Sequence, residues 1–364
     1  MSTTDDVPVD ELQSVEPERR ADVPVDAVLS VRNLRVEFPS DDGIVHAVDD
    51  LSFDVFENEV VGIVGESGSG KSVTSMAIMG LLPKRARISG EVFYRGRPIS
   101  GLAENDIRKL RGSKIAMVFQ DALTALDPVY KVGDQIAEAI TVHDRHIDKS
   151  VLHERVVELL NLVGIPNPVQ RAEQYPHEYS GGMRQRAMIA MSIANEPDVL
   201  IADEPTTALD VTIQAQVLEV MERIQERTNS AIVLITHDMG VVAGVADRVV
   251  VMYAGRAVEV GNVDQIFYEP HHPYTLGLLA SLPRLDEDRS DVRLHRIKGQ
   301  PPSLVHVPPG CAFHPRCEFA RCPDPCSTEV PQLRALGDLD HIAACHFAED
   351  VAKLRPDDLR TEAS

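Results

Sequence analysis

Hydrophobic residues along the chain follow two patterns that predict two kinds of strand. Apolar and polar residues alternate over 28–38 and 48–55, which is typical of strands with one buried face and predicts an antiparallel β portion. Short, nearly continuous apolar runs instead predict buried strands of a mostly parallel sheet, and they occupy residues 60–64, 115–119, 199–202 and 231–235. The pattern predicts an α/β fold, with a hairpin at residues 89–98.

The stretch between the second and third apolar runs has a helical pattern. Within residues 132–195, apolar residues at 152, 156, 159, 160 and 163 share one helical face, so we predict an amphipathic helix over 151–163 that ends at Gly164 and Pro166. Residues 132–195 are therefore expected to form a helical subdomain.

Length and charge narrow the classes of protein that fit. The 364 residues allow one large domain and a smaller one, and the net charge of −21 argues against binding nucleic acid through a basic surface. No apolar run approaches the length of a membrane span and the N-terminus lacks the features of a signal peptide, which together predict a cytoplasmic protein. Residues 1–27 are acidic, rich in Pro and free of aromatic residues, and we predict a disordered tail.

The sequence GESGSGKS at residues 65–72 matches the phosphate-binding pattern GxxxxGK[ST] between a predicted strand and a predicted helix. Its glycines let successive backbone N–H groups face phosphate oxygens at the positive end of the helix. Lys71 would contact the β- and γ-phosphates, and the Ser72 hydroxyl would bind Mg²⁺. A glycine-rich turn that matches by chance is the alternative. The predicted nucleotide-binding residues here are Gly65, Ser67, Gly68, Ser69, Gly70, Lys71, Ser72 and Val73.

Polar side chains follow three of the apolar runs. Asp203 and Glu204 end one run, and we predict that Asp203 holds Mg²⁺, directly or through water, while Glu204 orients and deprotonates the attacking water. Gln120 would extend its amide toward the metal and the γ-phosphate, and His237 would donate a hydrogen bond to the γ-phosphate. Two ordinary surface acids, a solvated glutamine and a structural histidine are the alternatives.

Two further groups are candidates for the nucleotide. The ring of Phe38 is placed to stack on adenine, although a core phenylalanine fits the same periodicity. Ser180, Gly181 and Gly182 open a predicted helix, where backbone donors can meet phosphate.

Together these residues resemble the ATP-binding cassette (ABC) family of transporter ATPases. The resemblance covers about residues 28–265 in unbroken order and assigns the family's motifs as Walker A at 65–72, the Q-loop at Gln120, the signature at 179–186, Walker B at 199–205, the D-loop at 207–210 and the switch histidine at His237. It implies a P-loop NTPase core that binds ATP and Mg²⁺ and hydrolyses ATP. It also implies a dimer, in which Ser180 and Gly182 complete the partner's site.

Three stretches, 119–128, 267–283 and 310–317, resemble the oligopeptide and dipeptide permease ATPases, and nickel permeases share much of this pattern. Residues 179–186 are similar to the first of the two ATPase subunits in such permeases, although Met183 stands where many members have glutamine. The resemblance implies a peptide importer at the cytoplasmic face of the membrane. The implied partners are a second ABC ATPase subunit, two transmembrane permease subunits and an extracytoplasmic peptide-binding protein.

All five cysteines lie in the predicted C-terminal domain, residues 266–364, and a cluster of this kind in a cytosolic chain favours a metal site over disulfides. The permease resemblance implies a [4Fe-4S] cluster on Cys311, Cys317, Cys326 and Cys345. This chain has two extra residues between the second and third of these, and an added Cys322, so Cys322 is an alternative ligand. Zinc and free thiols are the alternatives to the cluster.

Two other classes of protein remain as alternatives to a transporter subunit. A soluble ABC ATPase that acts on ribosomes or DNA usually carries two cassettes, whereas this sequence has one and is acidic. An iron-sulfur redox protein that uses ATP would change the oxidation state of its cluster during turnover.

Overall fold

The structure is a computed structural model that describes residues 20–121, 125–207, 209–282, 292–293, 296–359 and 361–362. In chain order its strands and helices are β1 (Ala27–Ser40), β2 (Gly43–Phe56), β3 (Val60–Val64), α1 (Lys71–Ile78), β4 (Arg87–Tyr94), β5 (Arg97–Pro98), α2 (Glu104–Leu110), β6 (Ile115–Val118), α3 (Val132–Thr141), α4 (Lys149–Leu162), α5 (Pro168–Ala172), α6 (Gly181–Ser192), β7 (Val199–Asp203), α7 (Val211–Thr228), β8 (Ala231–Thr236), α8 (Met239–Val245), β9 (Arg248–Tyr253), β10 (Arg256–Asn262), α9 (Val263–Tyr268), α10 (Pro273–Ala280), β11 (Val292–Arg293), β12 (Arg334–Leu336), β13 (Asp338–Ala343), α11 (Ala348–Val351) and β14 (Thr361–Glu362).

The two hydrophobic patterns correspond to two sheets. The alternating segments form an antiparallel sheet in the order β2-β1-β4-β5. The continuous runs form the centre of a sheet in the order β12-β13-β10-β9-β3-β8-β7-β6, in which the strands from β9 to β6 are parallel. Every residue of β3, β6, β7 and β8 is buried, as expected for parallel strands covered on both faces. The predicted α/β fold with an antiparallel β subdomain is confirmed.

The predicted helical subdomain is formed by α3 to α6. The amphipathic helix predicted over 151–163 is α4, which begins at Lys149, where the Asp148 side chain accepts a hydrogen bond from the Ser150 N–H. The face of α4 that carries Val156, Leu159 and Leu160 is buried in the same core as the parallel strands. This packing fixes the subdomain against the sheet.

The C-terminal segment joins the central sheet. Strand β13 pairs antiparallel with β10, and Phe313 packs in the core beneath the parallel strands. The domain boundary predicted after residue 265 falls inside α9. The described residues of segment 266–364, which is predicted as a small C-terminal domain, therefore share a sheet and a core with the rest of the described chain.

The predicted disordered tail, residues 1–27, lies partly outside the described residues, which begin at Arg20. Residues 20–26 do not follow the prediction: Val23 is buried, and the Asp22 carbonyl accepts a hydrogen bond from Arg32 Nη2 at 2.7 Å. These residues form turns against β1, because one apolar side chain and one buried arginine suffice to hold a short segment. Across the described helices, none is both long enough and apolar enough to cross a membrane.

Candidate active site

The phosphate-binding pattern forms the loop between β3 and α1. Gly65 and Gly70 have φ values of 155° and 102°. A Cβ atom on Gly65 would lie 2.2 Å from the Met252 carbonyl oxygen, and one on Gly70 would lie 2.3 Å from the Ala47 carbonyl oxygen. Only glycine fits both the torsion and the space. Lys71 lies buried at the start of α1, and its Nζ donates to the Gly65 carbonyl at 2.7 Å. Burial lowers the pKa of Lys71.

The predicted magnesium ligands meet where α1 faces the end of β7. Ser72 Oγ donates a hydrogen bond to Asp203 Oδ1 at 2.9 Å. Burial raises the pKa of Asp203, although the Ser72 hydrogen bond acts in the opposite direction. A hydroxyl and a carboxylate are oxygen donors of the kind that Mg²⁺ prefers, so the pair fits a magnesium site.

Glu204 is the point on which the other strand-end side chains converge. It has a φ of 47°, and its N–H donates to the Ile235 carbonyl at 2.8 Å, which turns the chain at the sheet edge. Its carboxylate accepts hydrogen bonds from Thr207 Oγ1 at 2.7 Å and Gln120 Nε2 at 3.0 Å, and it lies 3.3 Å from His237 Nδ1. Burial acts to raise the pKa of Glu204, but the contacts with Thr207 and His237 and the nearby charge of Lys71 together outweigh burial and lower it. The carboxylate is therefore held ionised.

These groups border a cleft of about 710 Å³. Most of the predicted nucleotide-binding residues line it: Phe38, Gly65, Ser67, Gly68, Gly70, Lys71, Ser72, Val73, Gln120, Glu204 and His237. Ser69 and Asp203 lie buried behind it, at 4% and 3% exposure. Six further residues that sequence reasoning did not single out line the same cleft: Val45, Ala47, Glu66, Met239, Leu278 and Leu304.

The predicted signature residues lie outside this cleft. Ser180 and Gly181 are exposed, and Ser180 Oγ accepts from the Met183 N–H at 3.3 Å, which caps α6. Residues 122–124 of the resembling stretch 119–128, and Ala208 of the predicted D-loop, lie outside the described residues.

Four of the five cysteines line one small cavity: Cys311, Cys317, Cys326 and Cys345. Burial raises the pKa of the Cys317 and Cys345 thiols to about 12. The Phe347 N–H donates to Cys345 Sγ at 3.4 Å. Cys322, the alternative ligand, is exposed and does not line this cavity. The structure thus brings together the same four cysteines that the family resemblance implies.

A separate buried group combines Glu259, His271 and His341, whose candidate ligand atoms lie within 4.8 Å of one another. The two imidazole rings stack at 3.8 Å with an interplanar angle of 15°, so their in-plane lone pairs run side by side and do not converge on one ion. The Glu259 carboxylate already accepts from the N–H groups of His271 and His272 at 2.6 and 3.0 Å. We interpret this group as a hydrogen-bonded support for the turn before α10.

The site lies at one edge of a parallel sheet and combines a glycine-rich phosphate loop, a serine–aspartate pair and a glutamate. Together with the antiparallel and helical subdomains, this arrangement defines an ABC-type ATPase. Known protein families and solved structures support the same class. The family model described as "ABC transporter" matches residues 48–207, and the model described as "Oligopeptide/dipeptide transporter, C-terminal region" matches residues 258–323. A solved dimeric ATP-binding cassette bound to ADP and Pi aligns with this chain at a TM-score of 0.58 and 25% sequence identity. The alignment covers 65% of this chain and 98% of that chain.

Two relatives show to which group of ABC transporter proteins the chain belongs. The dipeptide transport ATP-binding protein DppD of Bacillus subtilis is 52% identical over 295 residues, which are 80% of this chain and 87% of the relative. The oligopeptide transport ATP-binding protein OppD of Mycobacterium bovis is 51% identical over 318 residues, and these are 87% of this chain but 51% of that longer protein. The chain belongs to the oligopeptide and dipeptide transport ATP-binding proteins of the ABC transporter family.

Proposed function

We propose that this chain is the ATP-hydrolysing subunit of an importer that moves dipeptides or oligopeptides across the cytoplasmic membrane. The observation that carries the ATPase assignment is the position of Glu204, which lies beside the Ser72–Asp203 pair and in contact with Gln120 and His237. The peptide substrate rests on the relatives, whose names specify dipeptide and oligopeptide transport.

Each predicted side chain has a role in this reaction that follows from its chemistry. The phosphate loop and Lys71 bind the β- and γ-phosphates, and Ser72 and Asp203 hold Mg²⁺, which when bound neutralises phosphate charge. Glu204 is ionised and accepts the proton of the attacking water. Gln120 and His237 orient this carboxylate and would contact the γ-phosphate of a bound ATP, and Phe38 would stack on its base.

We propose that the working unit is a heterodimer with a second ABC ATPase subunit. Support comes from Ser180, which is exposed and lies outside the chain's own cleft, where it can meet a nucleotide held by another subunit. Gly182, the second residue predicted to complete the partner's site, is buried in the first turn of α6. Two transmembrane permease subunits and an extracytoplasmic peptide-binding protein complete the importer, with this chain bound peripherally at the cytoplasmic face. Closure around ATP and reopening after hydrolysis is the two-state change that drives transport.

We further propose that Cys311, Cys317, Cys326 and Cys345 hold a [4Fe-4S] cluster. Support comes from the cavity that all four cysteines line, because thiolates are the ligands of iron–sulfur clusters. Zinc is the alternative, since four thiolates also suit a tetrahedral zinc site. Analysis of anaerobically purified protein should find iron and acid-labile sulfide, whereas stoichiometric zinc would reverse the assignment.

The substitution Glu204→Gln tests the ATPase assignment. In the complex purified with its partner subunits, we expect ATP turnover to fall by about 10²- to 10⁴-fold, the range for a lost general base, while ATP still binds in calorimetry. Glu222→Gln, on the exposed face of α7, is the matched control and should retain wild-type turnover. Hydrolysis retained by the Glu204 variant would remove this residue from its proposed role.

The substrate is tested on the same purified complex. Peptides that stimulate its ATPase activity in the presence of the binding protein would support the peptide importer. Stimulation by Ni²⁺ and not by peptides would favour the nickel permease alternative.

A further inference from the structure

Glu66, the second residue of the phosphate loop, has all of its polar groups engaged. Its N–H donates to Tyr274 Oη at 2.8 Å, and its carbonyl accepts from Lys71 Nζ at 3.0 Å and from the Ser69 N–H at 3.2 Å. Its carboxylate accepts from both Nη atoms of Arg316 at 2.5 and 2.9 Å. Two of these partners, Tyr274 and Arg316, come from the C-terminal segment, so the first turn of the loop is held partly from outside the ATPase motifs.

Arg316 is held in a single geometry. Its side chain is 6% exposed, its Nε donates to the Lys298 carbonyl at 3.0 Å, and its guanidinium lies 5.7 Å from the centre of the Tyr253 ring. A bidentate arginine–carboxylate pair with little solvent access is among the strong charge-assisted contacts in proteins, and it fixes orientation as well as distance. The pair with Glu66 therefore differs from the exposed ion pairs elsewhere on this chain.

The backbone that carries Arg316 also carries two of the clustered cysteines. Residues 314–316 form a 3₁₀ turn between Cys311 and Cys317, in which the His314 N–H donates to the Cys311 carbonyl and the Arg316 N–H to the Phe313 carbonyl, both at 2.9 Å. Cys311 is in turn tied to Cys326 by a backbone hydrogen bond of 2.9 Å. The position of the guanidinium thus depends on the fold of the cysteine loop.

We propose that Arg316 is a positioning residue that, with Tyr274, holds the phosphate loop in its nucleotide-binding shape, and that an intact cysteine loop is required for tight ATP binding. The inference rests on the proposed function, since it takes the cleft to be the ATP site. It assigns the C-terminal segment a role in setting the affinity of this subunit for nucleotide.

The first experiment measures the ATP affinity of the full-length chain by calorimetry. Arg316→Ala removes both bonds to Glu66 and should raise Kd by about tenfold or more, whereas Arg316→Lys, which keeps the charge but not the bidentate fork, should give an intermediate Kd. Arg334→Ala is the matched control, because it breaks an exposed bidentate pair with Glu349 in the C-terminal segment and leaves the contacts of the phosphate loop in place. Its Kd for ATP should stay at the wild-type value.

A double-mutant cycle separates positioning from general destabilisation. If Arg316 acts through Glu66, the double variant Arg316→Ala with Glu66→Gln should bind ATP no more weakly than Arg316→Ala alone. Should the Arg316→Ala protein fail to fold, Arg316→Lys and Glu66→Gln decide, since each alters the same contact conservatively. Wild-type affinity in these variants would overturn the inference.

A second pairing tests the dependence on the cysteine loop. Cys317→Ser should raise the Kd for ATP by a similar factor, and combining it with Arg316→Ala should add little, because both act on one contact. An unchanged Kd in Cys317→Ser, or fully additive effects, would contradict the coupling. A wild-type chain that does not bind ATP would instead refute the proposed function, so the two failures are distinguishable.

Discussion

The ATP cleft and the cysteine-bearing segment of residues 296–359 reach their shapes by different means. The cleft is built at the ends of fully buried parallel strands, so backbone pairing places Asp203, Glu204 and His237. The cysteine segment contains only short strands, one α-helix of four residues and turns, and it is positioned by side-chain contacts and by one strand, β13, that pairs with β10. A site built on a sheet depends on few side chains for its geometry, whereas an irregular segment depends on each of its anchors.

The largest effect that distinguishes the two regions is expected at the cysteines. If the proposed cluster is bound, Cys345→Ser should lose most of its iron and lower the melting temperature, because metal binding and folding are coupled in segments with little regular structure. Metal analysis and visible absorbance measure the first effect, and thermal unfolding the second. The exposed Cys322 is the control, since Cys322→Ser should keep its iron. Equal loss in both variants would mean that the cavity does not define the ligand set.

An intermediate effect is expected at Phe313, where the two regions meet. Its ring is 4% exposed and lies 5.2 Å from that of Tyr253 and 5.4 Å from that of Tyr274. Phe313→Ala should reduce the free energy of unfolding by about 3 to 5 kcal/mol, the usual cost of removing a buried aromatic ring. The matched control is Tyr268→Ala, because Tyr268 is 69% exposed. If denaturant unfolding shows equal losses for both, the aromatic cluster does not join the regions.

The smallest of the three effects is expected in the cleft and is limited to binding. Gly70→Ala places a Cβ atom 2.3 Å from the Ala47 carbonyl oxygen, so the loop must shift, and we expect the Kd for ATP to rise by about a hundredfold, or about 3 kcal/mol. Gly68 has a φ of 80° but nothing within 4 Å of the added atom, so Gly68→Ala should show only the backbone strain of about 1 kcal/mol. Calorimetry that ranks Gly68→Ala as the more damaging would contradict this account of the loop.

The cleft was predictable because its determinants are local. The phosphate loop, the acids after β7 and the histidine after β8 each follow a strand that the hydrophobic pattern indicates, and parallel strands bring their carboxyl ends to one edge. The pair of Arg316 and Glu66 was not predictable, since 250 residues separate its members and neither belongs to a periodic pattern. The pairing of β13 with β10 was missed for a related reason, because a short strand gains its partner only from the folded sheet.

By itself the sequence determined the class of fold, the order of the motifs and the residue types available for phosphate and metal, since these depend on periodicity and on local backbone chemistry. Only the tertiary structure decided that the four cysteines implied by the resemblance line one cavity, that Cys322 stays outside it, and that the C-terminal segment reaches back to Glu66. Those outcomes depend on packing between distant parts of the chain, where burial selects the contacts that form.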